Sequence, residues 1–556
     1  MTPWKKTALE DYLLRCFSRE IGRLSFKAKG SGKSGLIATS RPGQEVLSRT
    51  ACEIGRNEIT ARFEVGFPAF GRTINSGELI RIFFDFLPGC VENVFFYRRQ
   101  NNAEIKKRIT LADDQQFIRN ELKRLDLVSF VADGSILPRE TGVSDRPMKG
   151  SVAFHSPDSL RITLNLPGHG PISGMAIHRG ITLIVGGGYH GKSTLLKALE
   201  SGVYNHIPGD GREYVITDET AVKLRAEDGR SINHVDISLF IRDLPNKKDT
   251  TCFSTADASG STSQAAAVIE SIEAGTRAFL IDEDTSATNF MLRDDLMQRI
   301  VSRDKEPITP FIERARDLYK QAGISTVLVA GSSGAYFFIA DTIIQMDAYR
   351  PFDITEMVKN ACEQEVSKPA IQAPGFKLPT AGRKLAADGT GRAVGAMALN
   401  FGDSRAEAGG ESQEEGENSG RSGRFGNRGG SASDAGRFER GRGGRREADR
   451  NSDRNTRIKV RVHDKHSFQV AKESVDLRFV EQLADSEQTA ALAQMVRYCL
   501  EKGLLERCTV QETVATLLKA YEADGLSVFS DASYAAMGLA MPRVQEIYAC
   551  LNRFRG

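Results

Sequence analysis

Over roughly the first 165 residues, apolar positions come in short runs broken by turns. "ARFEVGFPAF" reads as a strand, and "LIRIFFDFL" suits a strand or a buried helix. "DDQQFIRNELKRLDLVSFV" has helical spacing, with Phe117, Leu122, Leu125 and Val128 near one face. From Leu160 to about Tyr349 the rhythm becomes strand, loop, helix, strand. The runs "RITLNL", "ITLIVGG", "RAFLIDE" and "STVLVAG" suit strands buried on both faces, which predicts an α/β fold with a largely parallel sheet. After Ile458, "LRFVEQLADSEQTAALAQMVRYCLEKGLL", "VQETVATLLKAYEADGL" and "MPRVQEIYACLNRFRG" have the spacing of amphipathic helices. The expected division is an N-terminal α/β domain over 1–165, a central core over 166–365, an extension over 366–401 and a C-terminal helical domain over 457–556.

Composition changes this picture at one place. "GDSRAEAGGESQEEGENSG", from residue 402, is acidic and small. The Arg/Gly/Ser-rich stretch after it has Phe425 and Phe438 as its only aromatics. Neither part can bury enough apolar surface to offset the entropy of ordering, so 402–456 is expected to be disordered. Net charge is only +3 over 556 residues, so nucleic-acid contact has to come from local patches such as this one. The eight cysteines show no CxxC and no metal-ligand spacing, which reads as reduced thiols in an intracellular protein. No apolar run approaches the ~18 residues of a membrane span. The N-terminus "MTPWKKTALEDYLLRCFSREIGR" lacks a secretory apolar region and suits an amphipathic helix. It carries Glu10, Asp11 and Glu20, which transit peptides avoid. The expected compartment is cytoplasmic or otherwise intracellular and soluble, with an organellar matrix left open.

Two segments of the core carry chemistry. Gly186, Gly187, Gly188, Tyr189, His190, Gly191, Lys192 and Ser193 fit the phosphate-loop pattern G-x-x-x-x-G-K-[ST]. "ITLIV" leads in as a strand. "STLLKALE" leads out as a helix with Leu195, Leu196 and Leu199 on one stripe. The glycines let backbone N–H groups turn inward around phosphate oxygens. Lys192 is expected to reach the β and γ phosphates of ATP, Ser193 to bind Mg2+, and Thr194 to complete the nucleotide-contacting set. His190 reads as loop filler. Downstream, "AFLIDED" is a buried strand ending at Asp282, the expected acid for Mg2+. Glu283 follows as the group expected to polarise the attacking water.

The run "DEDTSATN" (282–289) matches without a gap the "DEPTSALD" of ABC-type ATPases. "ASGST" (258–262) lies where their signature "LSGGQ" lies, with Ser259 standing 23 residues before Asp282. With "GGGYHGKSTLL" and "ADTIIQMDAYRP", the chain resembles ABC-class ATPases that have no transmembrane domain. That resemblance implies a P-loop NTPase core of ABC type, flanked by an N-terminal α/β domain and a C-terminal helical domain. It also implies an ATP-dependent homodimer and, in part of the family, RNA binding. In such a dimer Ser259, Gly260 and Ser261, at a helix N-terminus, would meet the γ-phosphate held by the other protomer. The chain departs from the pattern in two ways. Gly331, Ser332 and Ser333 stand where ABC proteins usually place a His, and no Q-loop glutamine is evident between Lys192 and Ser259. Tyr189, Tyr204 and Phe154 are the aromatic candidates for the base.

Two readings of what the nucleotide drives stay open. Arg421, Arg424, Arg428, Arg440, Arg442 and Arg445 resemble an RGG-type tail, whose guanidiniums pair with phosphates and stack on bases. This favours RNA or single-stranded nucleic acid as partner. The same segment also reads as a linker whose acidic half folds back on its basic half. The alternative is then an ATP-dependent protein-assembly switch. Lys459, Arg461, Lys465 and His466 add charge beside it or form an ordinary strand face. Arg225 and Arg230 are further candidates for a subunit surface.

Overall fold

In the computed structural model, which describes residues 1–142, 144–293, 300, 305–331, 333–365, 373–379, 382–385, 458–530 and 535–555, the N-terminal stretch forms α1 (Pro3–Leu24). It starts on a proline, whose missing N–H is no loss in a first turn, and buries Leu13, Leu14, Phe17 and Ile21. Almost all described residues belong to one compact unit, Met1–Ala387 with Val460–Gly556. Of the second unit, Asp388–Lys459, only Ile458 and Lys459 are described. The expected disordered segment and the six arginines singled out on it therefore lie outside the described residues.

"LIRIFFDFL" is helical, running through Ser76–Arg81, a π turn at Ile82–Phe86 and Leu87–Phe95. "ARFEVGFPAF" is not one strand. It breaks into Ile59–Ala61, Glu64–Val65 and Ala69–Phe70, with Gly66 and Pro68 in the gap. Helix α2 (Asn102–Arg124) stops at Leu125, and Asp126, at φ 54°, turns the chain into a strand. Val128 thus lies on that strand, not on the helix face. The clustered Val128, Phe130 and Val131 favour a pleated, buried position over a helical one.

Strands β1 (Leu127–Ala132), β2 (Arg161–Leu166), β3 (Gly170–His178), β4 (Ile181–Val185), β5 (Val215–Thr217), β6 (Val222–Leu224), β7 (Ala278–Asp282), β8 (Ser325–Val329), β9 (Thr342–Asp347) and β10 (Arg350–Asp353) build two sheets. One is antiparallel, in the order β5-β1-β3-β2. "RITLNL" is its edge strand β2, not part of the parallel sheet. Its burial alternates because one face meets solvent. The other sheet runs β6-β7-β8-β4-β9-β10, parallel except for the antiparallel edge strand β10.

The parallel strands bury both faces. Leu183, Phe279, Ile281, Leu328 and Ile343 point into one core. Ile184, Leu280, Val327, Val329 and Ile344 point into another, shared with Leu195, Leu196 and Leu199 of helix α3 (Lys192–Ser201). Helix α4 (Gly260–Glu273) precedes β7, and α5 (Phe311–Ala322) precedes β8.

The C-terminal segment opens with an antiparallel meander, β11 (Val460–Asp464), β12 (Ser467–Val470) and β13 (Glu473–Asp476). The helices α6 (Ser486–Glu501), α7 (Val510–Asp524) and α8 (Val544–Arg553) follow. Arg461 lies on β11, as the strand-face reading of that stretch expects, whereas β12 and β13, four residues each, are too short for periodicity to announce. Among the described residues no helix is long and apolar enough to cross a membrane.

The two ends of the chain meet. Thr50 N–H donates to the Leu539 carbonyl (3.0 Å), and Met541 N–H to that of Ser48 (2.9 Å). Between them the Arg49 side chain, 2% exposed, pairs with Asp485 (2.6 Å) and Glu487 (2.5 Å) at the start of α6. Removing one partner of a buried ion pair leaves uncompensated charge, at a cost of roughly 3–5 kcal/mol. Arg49→Met is therefore expected to lower unfolding stability by about that amount, read as a reduced urea midpoint. An unchanged midpoint would show that the junction carries no stability.

Candidate functional site

The phosphate loop leaves β4 through Gly186, at φ 137°. A side chain there would meet the Met346 carbonyl at 2.3 Å, so only glycine fits. Tyr189 (φ 63°) and Gly191 (φ 99°) complete the curl, and Gly191 caps α3. Lys192 opens that helix, and its Nζ folds back over the loop, donating to the carbonyls of Gly186 (2.6 Å) and Gly187 (2.8 Å). Ser193 and Thr194 lie in the first helical turn, Ser193 exposed. His190 is more than filler. Ala348 N–H donates to its Nδ1 (3.0 Å), and the Asp347 carboxylate lies 2.8 Å from the same atom.

Asp282 ends β7 level with Val329 of β8, which is itself level with Ile184 just before the loop. Burial raises its carboxyl above the ordinary range against the pull of the Lys223 ammonium. Glu283 begins the following turn, and its carboxylate accepts the Gly331 N–H at 2.7 Å. The acid thus reaches the exit of the next strand, where the expected His is replaced. Ser332 there lies outside the described residues.

Ser259 occupies the N-cap position of α4 without a capping bond from its side chain, and its hydroxyl lies 2.9 Å from that of Thr262. Gly260 sits close: a Cβ would lie 3.2 Å from the Asp228 carboxylate and 3.6 Å from the Ala287 side chain. Ser261 is buried behind it. Gln264, one turn further and fully buried, donates to the Ser286 hydroxyl (3.0 Å) and accepts the Ala287 N–H (2.9 Å). The start of α4 and the 282–289 run are therefore one hydrogen-bonded unit. No hydrogen bond of Ser259 among the described residues reaches 186–194 within the chain.

No local pattern of residues signals the charged seam beside the site. Buried Lys223 of β6 pairs with Glu200 of α3 (3.1 Å), and Glu200 also takes Lys197 (2.7 Å). Glu481, from the C-terminal segment, pairs with Arg225 (2.7 Å) and approaches Lys197 (3.5 Å). Burial pushes the Glu481 carboxyl up, but Lys197, Lys223 and Arg225 together hold it below its ordinary value. Next to it Gln482 accepts the Lys223 N–H (2.9 Å) and donates to the Glu200 carbonyl (3.1 Å). Arg230, read as a surface candidate, is buried and paired with Glu270.

The family model for the P-loop domain of ABC ATPases matches residues 101–378, half of the chain. The model for the N-terminal region of ATPases of the ABC class matches 2–98, and the MRB1590 C-terminal domain model matches 459–556. The uncharacterized protein MJ1628 of Methanocaldococcus jannaschii is 31% identical over 229 residues, which is 40% of this chain and 50% of that protein. The chain thus spans half the length of the curated relative it matches. Among solved structures, the ADP conformation of MJ1267, an ATP-binding cassette of an ABC transporter, is similar over 43% of this chain and 95% of its own, at 12% identity and a TM-score of 0.26. The cbiO1 structure from Clostridium perfringens, part of the ABC transporter complex cbiONQ, is similar over 43% and 92%, at 13% identity and a TM-score of 0.27.

Two loop glycines make opposite predictions. Gly186→Ala forces a left-handed residue against a carbonyl and is expected to cost about 1–3 kcal/mol, seen as a lower unfolding midpoint. At Gly188 nothing lies within 4 Å of an added Cβ, so Gly188→Ala is expected to leave the midpoint in place. Equal midpoints for the two variants would contradict this account of the loop.

Proposed function

Because the chain belongs to the ABC-class ATPases, we propose that it binds ATP with Mg2+ at 186–194 and hydrolyses it in a site shared by two copies. The loop of one copy and Lys192 hold the phosphates. Ser259, Gly260 and Ser261 of the other approach the γ-phosphate with a hydroxyl and the free amides of a helix start. The observation that carries this reading is the Gln264 link. It fastens the start of α4 to the run that follows the acids, so the signature moves with the strand end it would report on.

The donors available to Mg2+ fit it. Ser193 offers an exposed hydroxyl. Asp282 offers a carboxylate that accepts the Asp284 N–H at 3.3 Å. Hard oxygens from one hydroxyl and one carboxylate, with substrate phosphates, suit an ion that keeps much of its water. When bound, the ion neutralises phosphate charge. Glu283 is the group proposed to orient and deprotonate the attacking water. Gly331 N–H holds its carboxylate at 2.7 Å.

We further propose that opening and closing of the pair gates contact with RNA or single-stranded nucleic acid. The Arg/Gly-rich composition of 421–446 supports this, since flexible guanidiniums bind phosphate and stack on bases. The alternative is a protein-assembly switch in which the same arginines hold an acidic protein.

Lys192→Ala is expected to abolish ATP binding. Glu283→Gln is expected to bind ATP and accumulate as an ATP-bound dimer in size-exclusion chromatography. Wild-type turnover by Glu283→Gln would remove it as the base. Deleting 420–457 is expected to abolish RNA binding with ATPase activity intact. Wild-type RNA binding that weakens with salt, as counterion release requires, agrees with the reading. Salt-insensitive binding excludes it, and partner capture that survives nuclease favours the protein switch.

A further inference from the structure

The turn between β9 and β10 is made by Ala348 and Tyr349, both with left-handed backbone angles (φ 45° and 67°). Two such residues in succession mark a tight hairpin turn, and neither is Gly, Asn or Asp, which adopt it cheaply. Strain of this kind persists only where surrounding contacts hold it. Here the contacts come from the phosphate loop. Ala348 N–H donates to His190 Nδ1 (3.0 Å), and Tyr349 N–H donates to the His190 carbonyl (3.1 Å). Asp347 lies 2.8 Å from that Nδ1. These contacts fasten the turn to the loop.

Fastening the turn puts the Tyr349 ring beside the nucleotide-facing helix. A Cβ on Gly191 would lie 2.9 Å from Tyr349 Cδ1. The ring also borders a cavity of about 850 Å3 that runs along Ser193 and Thr194, past Met346 and Phe154, to Lys465 and Glu481. That size falls in the ~300–1,000 Å3 range of small-molecule sites. Three aromatic residues line it, and two have no face to offer. Tyr204 is buried with its hydroxyl accepting from Gln488 (3.1 Å), and Phe154 is 3% exposed in the wall. Tyr189 is fully exposed and does not line the cavity. Tyr349, 48% exposed, presents a ring.

We propose that Tyr349 is the platform on which the nucleotide base stacks, and that His190 is the positioning residue that holds it there. The inference rests on ATP binding at 186–194 as proposed above. Nucleotide binding is to be measured for the full chain with two probes, ATP and inorganic tripolyphosphate, which lacks base and ribose. Base–aromatic stacking implies that Tyr349→Ala weakens ATP binding by at least about 5-fold, leaves tripolyphosphate unchanged, and is rescued by Tyr349→Phe. His190→Ala is expected to shift the ratio of the two affinities in the same direction. Tyr349→Trp, in a chain whose one other tryptophan is Trp4, is expected to change emission with ATP and not with tripolyphosphate. Unaltered ATP affinity in Tyr349→Ala overturns the proposal, as does an equal loss for both probes. Wild-type protein that binds neither probe removes the ATP reading and this inference with it.

Discussion

Ile184, Val329 and Ile344 stand in one hydrogen-bonded row across the central sheet, with Asp282 beside Val329. The whole site is placed by that register. Two residues past Ile184 the chain must curl as Gly186. Two past Val329 it offers the Gly331 amide. One past Asp282 it presents Glu283, which that amide holds. Ligands of open α/β sheets gather at the carboxyl ends of their strands, and here the loop, the acid and its partner are delivered to one such edge. A slip of one residue would turn every side chain to the opposite core, so the apolar patterning that stabilises the sheet also fixes the chemistry.

The phosphate helix α3 and strand β6 are joined to the C-terminal segment by polar contacts. Gln482 saturates a backbone amide of β6 and a backbone carbonyl of α3, and Glu481 shares the cations of that seam with Glu200. Buried charges are costly unless paired, so these partners constrain one another's positions. Lys223, which opposes the effect of burial on Asp282, belongs to this seam. The strand next to the acid strand, the phosphate helix and the C-terminal segment thus share one set of ionic contacts.

Much of this was legible in the sequence where the information is local. Strand, glycine loop and helix are contiguous, so the order of "ITLIV", the loop and "STLLKALE" placed β4 and α3 correctly. The uniformly apolar runs ending at Asp282 and Val329 placed β7 and β8. Legibility failed where the deciding partner lies far along the chain or where a run is short. "RITLNL" joins the antiparallel sheet because β3 pairs with it, which its apolar residues alone do not announce. Val128 left its helix at Asp126, a left-handed residue that periodicity cannot detect. His190 looked idle because its partners are residues 347–349. Arg230 looked like a surface charge because Glu270 is not adjacent in sequence.

In the proposed arrangement one functional site takes Lys192 from one copy and Ser259 from another. Mixing two variants, each expected to be inactive as a homodimer, Lys192→Ala and Ser259→Glu, separates this arrangement from a site held within one chain. In a mixed dimer one interface pairs both defects and the other pairs none. A site shared between copies requires ATP hydrolysis to return on mixing. No recovery from a mixture shown to exchange subunits, or full activity of Ser259→Glu alone, would contradict it.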